Sequence, residues 1–205
     1  MGGHLFVSGG VRSGKSDWAE RLAANQGSPV IYLATASLQA DDPVWLERIE
    51  RHRARRPASW RVIECGAALV AAIEQAAAQQ LLLIDSTGGW CRHFLDQEPP
   101  RWAEVTRNLE RSCLGYRGRL LFVAEEVGQA VIPATAIGAR FQDRLGGLNR
   151  RLAALCSAHW WVQAGTAVDL AQLGQPVAAR PGVASAPPSC VPPPSPHACG
   201  RSVRA

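Results

Sequence analysis

Short apolar runs recur along the chain, and each ends at a turn or polar residue. Their hydrophobicity is continuous rather than alternating, which is typical of strands buried on both faces of a parallel sheet. The pattern predicts four strands clearly and two more weakly: 4–8, 30–34, 81–85 and 119–124, then 60–64 and 159–163.

Helical periodicity occupies the stretches between these runs. It predicts a helix over 16–26, a helix from Pro43 to about residue 55 with Asp42 as its N-cap, and a helix over 136–156. The last has the clearest pattern, with apolar residues three or four positions apart at Ile137, Phe141, Leu145, Leu148, Leu152 and Leu155. Alternating strands and helices predict an α/β fold with a mostly parallel, doubly wound sheet flanked by helices. In such a fold, ligands bind beyond the carboxyl ends of the strands.

The composition changes near Pro176. Eight of the fourteen prolines lie in residues 176–205, together with Ser, Ala and Gly and without an acidic residue. Such a segment is typical of a disordered or polyproline-like tail, and a docking peptide is the alternative. We therefore expect one domain over 1–175 and a disordered Pro-rich tail over 176–205.

Length, composition and charge exclude several classes of protein. The chain has 205 residues, of which 47% are apolar, enough for one domain with a sizeable core. The net charge is +5, and three of the arginines that contribute to it lie in the tail. Residues 1–175 are therefore nearly neutral, and no nucleic-acid partner is expected. No apolar run reaches the length of a membrane span. The six cysteines lack metal-ligand spacing and are expected to be reduced thiols of a cytoplasmic protein.

A phosphate-binding motif lies between the first predicted strand and the first predicted helix. The octapeptide G-G-V-R-S-G-K-S at 9–16 fits the pattern G-x-x-x-x-G-K-[ST]. Its glycines allow backbone N–H groups to wrap phosphates, Lys15 would reach the β and γ phosphates, and Ser16 would bind Mg²⁺. The motif predicts a P-loop NTPase-like fold with Lys15, the only lysine of the chain, as a catalytic residue. A glycine-rich turn without a ligand is the alternative. The predicted nucleotide contacts are Gly9, Gly10, Val11, Arg12, Ser13, Gly14, Lys15 and Ser16.

Acidic residues follow two of the predicted strands. Asp85 ends the run at 81–85, where a P-loop protein needs a carboxylate to hold the metal; a cap for the following helix is the alternative. Glu125 and Glu126 follow the run at 119–124, and we expect one of them to face the site unless both lie on a solvated loop. The predicted metal ligands are Ser16, Asp85 and Glu126.

A histidine lies among arginines in the helix that begins at Pro43. On that helix Trp45, Ile49 and His52 share one stripe, which turns the imidazole toward the protein. Nearby cations keep an imidazole neutral and nucleophilic while they bind phosphate oxygens, which suits attack on a nucleotide α-phosphate. A core histidine and a solvated basic face are the alternatives. The neighbouring arginines are Arg48, Arg55 and Arg56.

Several motifs occur in a fixed order along residues 4–170. They are G-G-V-R-S-G-K-S, Y-L-A-T-A, D-D-P-x-x-x-x-R-I-x-x-H-R-x-x-R-P-x-x-W, E-E-V-G-x-x-x-x-P and R-F-Q-D-x-x-G-x-x-N. The ordered set resembles the bifunctional adenosylcobinamide kinase and adenosylcobinamide-phosphate guanylyltransferase family of cobalamin biosynthesis. The chain departs from the family pattern at Glu125, where relatives carry Asn. It also has Arg51 where some relatives carry a second histidine, so only His52 can serve.

The resemblance implies two reactions on one chain. ATP or GTP would phosphorylate adenosylcobinamide in the presence of Mg²⁺, and GTP would then transfer GMP to the phosphate through a guanylylated His52. It also implies a homo-oligomer, reportedly a trimer, with adenosylcobinamide and its phosphate as substrates. The nucleotide contacts implied beyond residues 9–16 are Thr35, Ala36, Ser37, Arg53, Ala54, Arg55, Glu64 and Asp85.

Two other functions fit parts of the sequence. One is a P-loop kinase of another small metabolite, which never forms a nucleotidyl-enzyme. The other is a nucleotide-gated protein that binds nucleic acid through the arginines of 48–56, and the nearly neutral charge of residues 1–175 argues against it.

Overall fold

The computed structural model describes residues 3–36, 50, 56–129 and 133–177. The helix predicted from Pro43 to about residue 55 lies outside these ranges, apart from Glu50, which is helical and exposed. The predicted tail lies outside them from residue 178 onward.

Within the described residues, seven strands form one sheet. They are β1 His4–Gly9, β2 Val30–Ala34, β3 Arg61–Glu64, β4 Leu81–Asp85, β5 Arg119–Glu125, β6 Cys156–Gln163 and β7 Thr166–Asp169. Their order across the sheet is β3-β2-β4-β5-β1-β6-β7. All neighbours pair in parallel except β6 and β7, which form an antiparallel hairpin. The six predicted strands are confirmed, including the two weak ones, and β7 is an addition to the prediction.

Helices connect and cover the strands. They are α1 Lys15–Ala24, α2 Leu69–Glu74, α3 Thr87–Arg92, α4 Pro99–Gly115, α5 Ala136–Ala153 and α6 Leu170–Leu173. The helices α1 and α5 confirm two predictions, although α5 ends before the predicted residue 156 because β6 begins there. No helix in the described ranges combines the length and the hydropathy needed to cross a bilayer.

The central strands of the sheet are buried on both faces, as their continuous apolar runs predict. On one face, Ala19 and Ala23 of α1 pack against apolar side chains of the central strands. On the other face, residues of α2, α3, α4 and α5 surround Phe6 and Phe122. Every residue of Leu81–Ile84 is at most 1% exposed. The α/β fold with a doubly wound sheet is therefore confirmed.

Parallel pairing gathers the carboxyl ends of the strands at one edge of the sheet. Gly9 pairs with Glu125, and Ala34 pairs with both Glu64 and Asp85. The phosphate motif begins at Gly9, and three of the paired residues are acidic: Glu64, Asp85 and Glu125. The fold therefore brings the predicted phosphate-binding and acidic groups to a common edge, where α/β proteins bind ligands.

Candidate functional site

The phosphate motif forms a tight loop between β1 and α1. Gly14 caps α1 with φ of 98°, a left-handed conformation that favours glycine. Lys15 is 5% exposed, and its Nζ donates to the Gly10 carbonyl oxygen at 3.3 Å. The backbone N–H of Lys15 donates to Ser13 Oγ at 3.3 Å. The loop thus has the compact geometry expected of a phosphate cradle at a helix N-terminus.

The same loop is held against the hairpin formed by β6 and β7. A Cβ atom on Gly9 would clash with the Val162 carbonyl oxygen, so the backbone passes β6 at a distance that only glycine allows. The Gly165 N–H donates to the Ser13 carbonyl oxygen at 2.9 Å. The hairpin that the sequence pattern missed therefore supports the phosphate loop from one side.

A cavity of about 570 Å³ opens beside the loop over the carboxyl ends of the strands. Among the predicted site residues, the cavity is lined by Val11, Lys15, Ala36, Glu64 and Asp85. Glu125 and Arg56, which the sequence also singled out, line it as well. The other lining residues are Tyr32, Ala34, Val62, Ser86, Gly88, Gly89, Arg92, Leu95, Val127, Thr135, Ile137, Gly138 and Phe141. The lining therefore combines three cations and three carboxylates with a wall of apolar side chains.

Asp85 is held by a tyrosine that the sequence did not single out. The Tyr32 hydroxyl donates to Asp85 Oδ2. Burial raises the pKa of Tyr32 well above its ordinary value, and the neighbouring carboxylate adds to the rise, so the hydroxyl keeps its proton. The alternative that Asp85 caps the next helix is wrong, because Ser86 is the N-cap of α3 and its Oγ accepts from the Gly89 N–H at 3.1 Å.

Glu125 holds the loop that follows β4. Its Oε1 accepts from the Ser86 hydroxyl, and its Oε2 accepts from the Gly88 N–H at 2.9 Å. A Cβ atom on Gly88 would lie 2.5 Å from Glu125 Oε2, so a larger residue there would displace this carboxylate. Of the two glutamates at the end of β5, Glu125 thus faces the cavity and orders the start of α3.

Thr35 joins the ends of β2 and β4. Its hydroxyl donates to the Ser86 carbonyl oxygen at 2.6 Å and accepts from the Ser86 N–H at 2.7 Å. The Thr35 carbonyl oxygen lies 2.8 Å from His93 Nε2. Thr35 is fully buried, and Ala36 is the residue of this segment that lines the cavity.

The motif R-F-Q-D-x-x-G-x-x-N braces the cavity from α5. Gln142 donates to the Val127 carbonyl oxygen at 2.7 Å, and Asn149 donates to that of Glu125 at 3.1 Å. Asn149 Oδ1 also accepts from the Thr87 hydroxyl at 2.8 Å. Ile137, predicted to lie on the buried face of this helix, is instead 51% exposed and lines the cavity.

Glu126 lies beside β1 and is not among the residues that line the cavity. Its carboxyl forms a hydrogen bond with Ser8, whose Oγ also lies 3.0 Å from His159 Nε2. Burial raises the pKa of Glu126, and the bond with Ser8 opposes the rise. Burial also lowers the pKa of His159, and the charge of Asp169 opposes that fall.

Several predicted site residues lie outside the described part of the chain. They are Ser37, His52, Arg53, Ala54 and Arg55. Arg56, the next residue after them, is described and lies against the Tyr32 ring.

The donor set fits a magnesium–nucleotide complex better than a metal held by protein alone. Among the described residues, no group of three or more His, Cys, Asp or Glu side chains could hold a metal. Mg²⁺ usually keeps several waters and binds one or two carboxylates together with substrate phosphates. Asp85 at the cavity and the hydroxyl of Ser16 in the first turn of α1 match that requirement.

A mostly parallel sheet with a phosphate loop after β1 and an acid at the end of β4 defines a P-loop nucleotide-binding protein. An ATPase from the type III secretion system of pathogenic bacteria shares this fold, with a TM-score of 0.53 and 13% identity. The similarity covers 86% of this chain, and the chain spans 60% of the length of that ATPase. The chain belongs to the cobinamide kinase / cobinamide phosphate guanyltransferase family, whose family model matches residues 5–170.

Two curated relatives agree with this assignment. The chain is 39% identical over 167 residues to the bifunctional adenosylcobalamin biosynthesis protein CobP of Pseudomonas aeruginosa. The aligned region covers 80% of this chain and 95% of the relative. It is also 30% identical over 182 residues to the bifunctional adenosylcobalamin biosynthesis protein CobU of Escherichia coli K12, with 81% of this chain and 98% of that relative aligned. The resemblance inferred from the ordered motifs is confirmed, and the chain is an enzyme of this family.

Proposed function

We propose that this enzyme phosphorylates adenosylcobinamide and then converts the phosphate to adenosylcobinamide-GDP. The observation that carries the proposal is the cavity that Lys15 shares with Asp85 and Glu64, in a chain that the family model covers over residues 5–170. A cation, a metal-side acid and a further carboxylate around one cavity suit a bound nucleoside triphosphate.

In the kinase reaction, the loop at 9–16 holds the phosphates of ATP or GTP. The hydroxyl of adenosylcobinamide attacks the γ-phosphorus, the bond from that phosphorus to the β–γ bridging oxygen breaks, and the hydroxyl proton passes to solvent. Lys15 stabilises the charge that develops on the departing diphosphate. Ser16 and Asp85 would hold Mg²⁺, which would supply charge neutralisation of the phosphates. The assignment of Glu126 to the metal stays a prediction.

In the transferase reaction, His52 is the nucleophile. Its imidazole nitrogen attacks the α-phosphorus of GTP, an N–P bond forms, and pyrophosphate leaves. The phosphate of the acceptor then attacks the same phosphorus, the N–P bond breaks, and adenosylcobinamide-GDP is released. The nucleotide contacts proposed for this step are Ala36, Ser37, Arg53, Ala54, Arg55, Glu64 and Asp85. Thr35, which the resemblance also implied, is buried and would act by holding the segment that carries Ala36.

The proposal also covers the oligomeric state of the enzyme and its compartment in the cell. Family resemblance supports a homo-oligomer, specifically a trimer, without a nucleic-acid partner. The described cysteines are free thiols, which supports a reducing compartment such as the cytoplasm: Cys65, Cys91, Cys113 and Cys156.

The two reactions are tested separately with labelled GTP. With α-labelled GTP, the wild-type chain is expected to acquire a GMP adduct that survives base and is lost in acid, as a phosphoramidate is. The adduct is expected to be absent from His52→Ala and present in His197→Ala, which alters a histidine outside the matched residues. Phosphorylation of adenosylcobinamide is expected to fall at least about 100-fold in Lys15→Ala.

Each outcome points to one part of the proposal. Phosphorylation without any GMP adduct would contradict the transferase half and favour a P-loop kinase that does not transfer nucleotides. An adduct that persists in His52→Ala would place the nucleophile at another residue. Undiminished phosphorylation by Lys15→Ala would contradict the role of the phosphate loop.

A further inference from the structure

Tyr32 lines the cavity and makes two contacts with other lining residues. Its hydroxyl contacts Asp85, and its ring contacts Arg56. It belongs to β2 and is 3% exposed, so its ring is surrounded by protein. Its hydroxyl reaches Asp85 at the end of the neighbouring strand β4. One buried side chain therefore joins the interior of the sheet to a carboxylate of the site.

The ring of Tyr32 is also fixed on its face. The guanidinium carbon of Arg56 lies 3.4 Å from the ring centroid, a close cation–π contact. Arg56 Nε is in turn 3.9 Å from Glu20 Oε1 on α1, and both side chains are almost buried, with exposures of 11% and 12%. Cation–π attraction strengthens when the groups are removed from water, as they are here.

These contacts leave the hydroxyl of Tyr32 little freedom. The backbone is fixed by pairing with β3 and β4, the ring is clamped by Arg56, and the hydroxyl hydrogen points at Asp85. Asp85 Oδ2 accepts the hydrogen bond from Tyr32, and this bond also fixes the direction in which Asp85 Oδ1 points. Such a partner lowers the cost of ordering a carboxylate around a metal–phosphate complex.

We propose that Tyr32 is a positioning residue for the nucleotide–metal site, acting through the hydrogen bond that orients the Asp85 carboxylate. The proposal rests on the proposed function only in that a magnesium–nucleotide complex binds beside Asp85. Although Tyr32 lines the cavity, the role proposed for it is indirect, through the Asp85 carboxylate.

The test compares Tyr32→Phe with Tyr116→Phe. Both variants lose one hydroxyl, and Tyr116 donates only to the carbonyl oxygens of Ala77 and Gln80, at 2.9 Å each, away from the cavity. Mn²⁺ replaces Mg²⁺ as a spectroscopic probe, and its binding to the chain with the β,γ-imido analogue of GTP is measured by electron paramagnetic resonance. We expect Tyr32→Phe to weaken Mn²⁺ binding about 10- to 100-fold and Tyr116→Phe to leave it unchanged.

A double-mutant cycle separates positioning from a general loss of structure. If Tyr32 acts through Asp85, Tyr32→Phe in an Asp85→Asn background is expected to change Mn²⁺ binding less than about twofold. A full additional loss in that background would overturn the proposal. So would a Tyr32→Phe chain that melts at a lower temperature yet binds Mn²⁺ as the wild type does.

Failure of the proposal is distinguishable from failure of the proposed function. Equal Mn²⁺ binding by the wild type and Tyr32→Phe would overturn the role of Tyr32 alone. A wild-type chain that binds no Mn²⁺–nucleotide complex would overturn the proposed function, and this proposal with it. The binding measurement requires neither adenosylcobinamide nor turnover.

Discussion

His4, at the start of β1, forms a hydrogen bond through each ring nitrogen. The Leu120 N–H donates to His4 Nδ1 at 3.2 Å, and Nε2 lies 3.0 Å from the Cys113 carbonyl oxygen. Because Nδ1 accepts, the proton is on Nε2 and the ring is neutral. Burial lowers the pKa of His4, the bond to Cys113 opposes the fall, and the charge of Arg119 adds to it.

This arrangement makes stability depend on pH. Below the ordinary histidine pKa of 6.5, the unfolded chain binds a proton that the folded ring resists. The free energy of unfolding is therefore expected to fall as pH drops from 7 to 5, by at most about 1.4 kcal/mol per pH unit for this group. Urea unfolding at several pH values measures the slope.

The variant His4→Gln is the control for that prediction. It is expected to reduce the slope without abolishing it, because the lowered pKa of His159 contributes in the same direction. A variant with the same slope as the wild type would show that His4 does not supply the pH dependence.

Individual site residues were predictable where a motif or a strand end marked them. Lys15 and Asp85 have such marks, and both line the cavity. Tyr32 has none, because a tyrosine in an apolar strand is also what an ordinary core contains. The hydroxyl of Tyr32 becomes informative only when the pairing of β2 with β4 brings Asp85 beside it.

At the scale of elements, the start of α3 is held to the cavity by a side chain with two partners. Ser86 caps this helix and also donates to Glu125, so one hydroxyl serves two elements. We expect Ser86→Ala to cost about 1 to 2 kcal/mol of stability through the lost cap, which lowers Tm by about 2 to 8 °C. We also expect kcat/KM for the nucleotide to fall about tenfold, because Glu125 and α3 lose their common anchor.

Asp169→Ala is the matched control for that helix cap. Asp169 caps α6 by accepting from the Ala171 N–H at 2.9 Å, and it does not line the cavity. Its loss is expected to lower Tm while kcat/KM is unchanged. An effect of Ser86→Ala on Tm alone would mean that the start of α3 does not orient the site.

Helices and strands could be predicted from the sequence where their hydrophobic pattern was long enough to recognise. The strands β4 and β5 are unbroken apolar runs because both faces are covered, and α5 is long enough to show its period. The helices α2 and α3 have six residues each, too few for a helical period to appear. The strand β7 has four residues, and its antiparallel pairing depends on the hairpin with β6.

For the whole molecule, strand order was beyond the sequence pattern, although the fold class was not. The strand β1 pairs with β5 and β6, whose residues lie more than a hundred positions away. Local periodicity contains no information about such pairs. The common carboxyl edge could nevertheless be anticipated, because it follows from parallel pairing in any order.

Both core clusters are built from residues 5–167, which predicts that the tail is dispensable for folding. A chain ended after Val177 is expected to keep its Tm within about 2 °C and to retain both reactions, since no residue of either cluster is removed. Calorimetry and the two labelled-GTP assays measure this. A marked fall in Tm or in either activity would show that residues 178–205 contribute to the folded enzyme.

The position of the single lysine has a practical consequence. Lys15 is 5% exposed and held within the phosphate loop, and every other basic side chain apart from the histidines is an arginine. Any acylating reagent or acetyl donor that modifies a lysine of this chain therefore modifies the nucleotide cradle itself. Most proteins carry reactive lysine amines at many surface positions. In this chain the side-chain amine of Lys15 is buried, and the α-amino group is the other amine that such a reagent could modify.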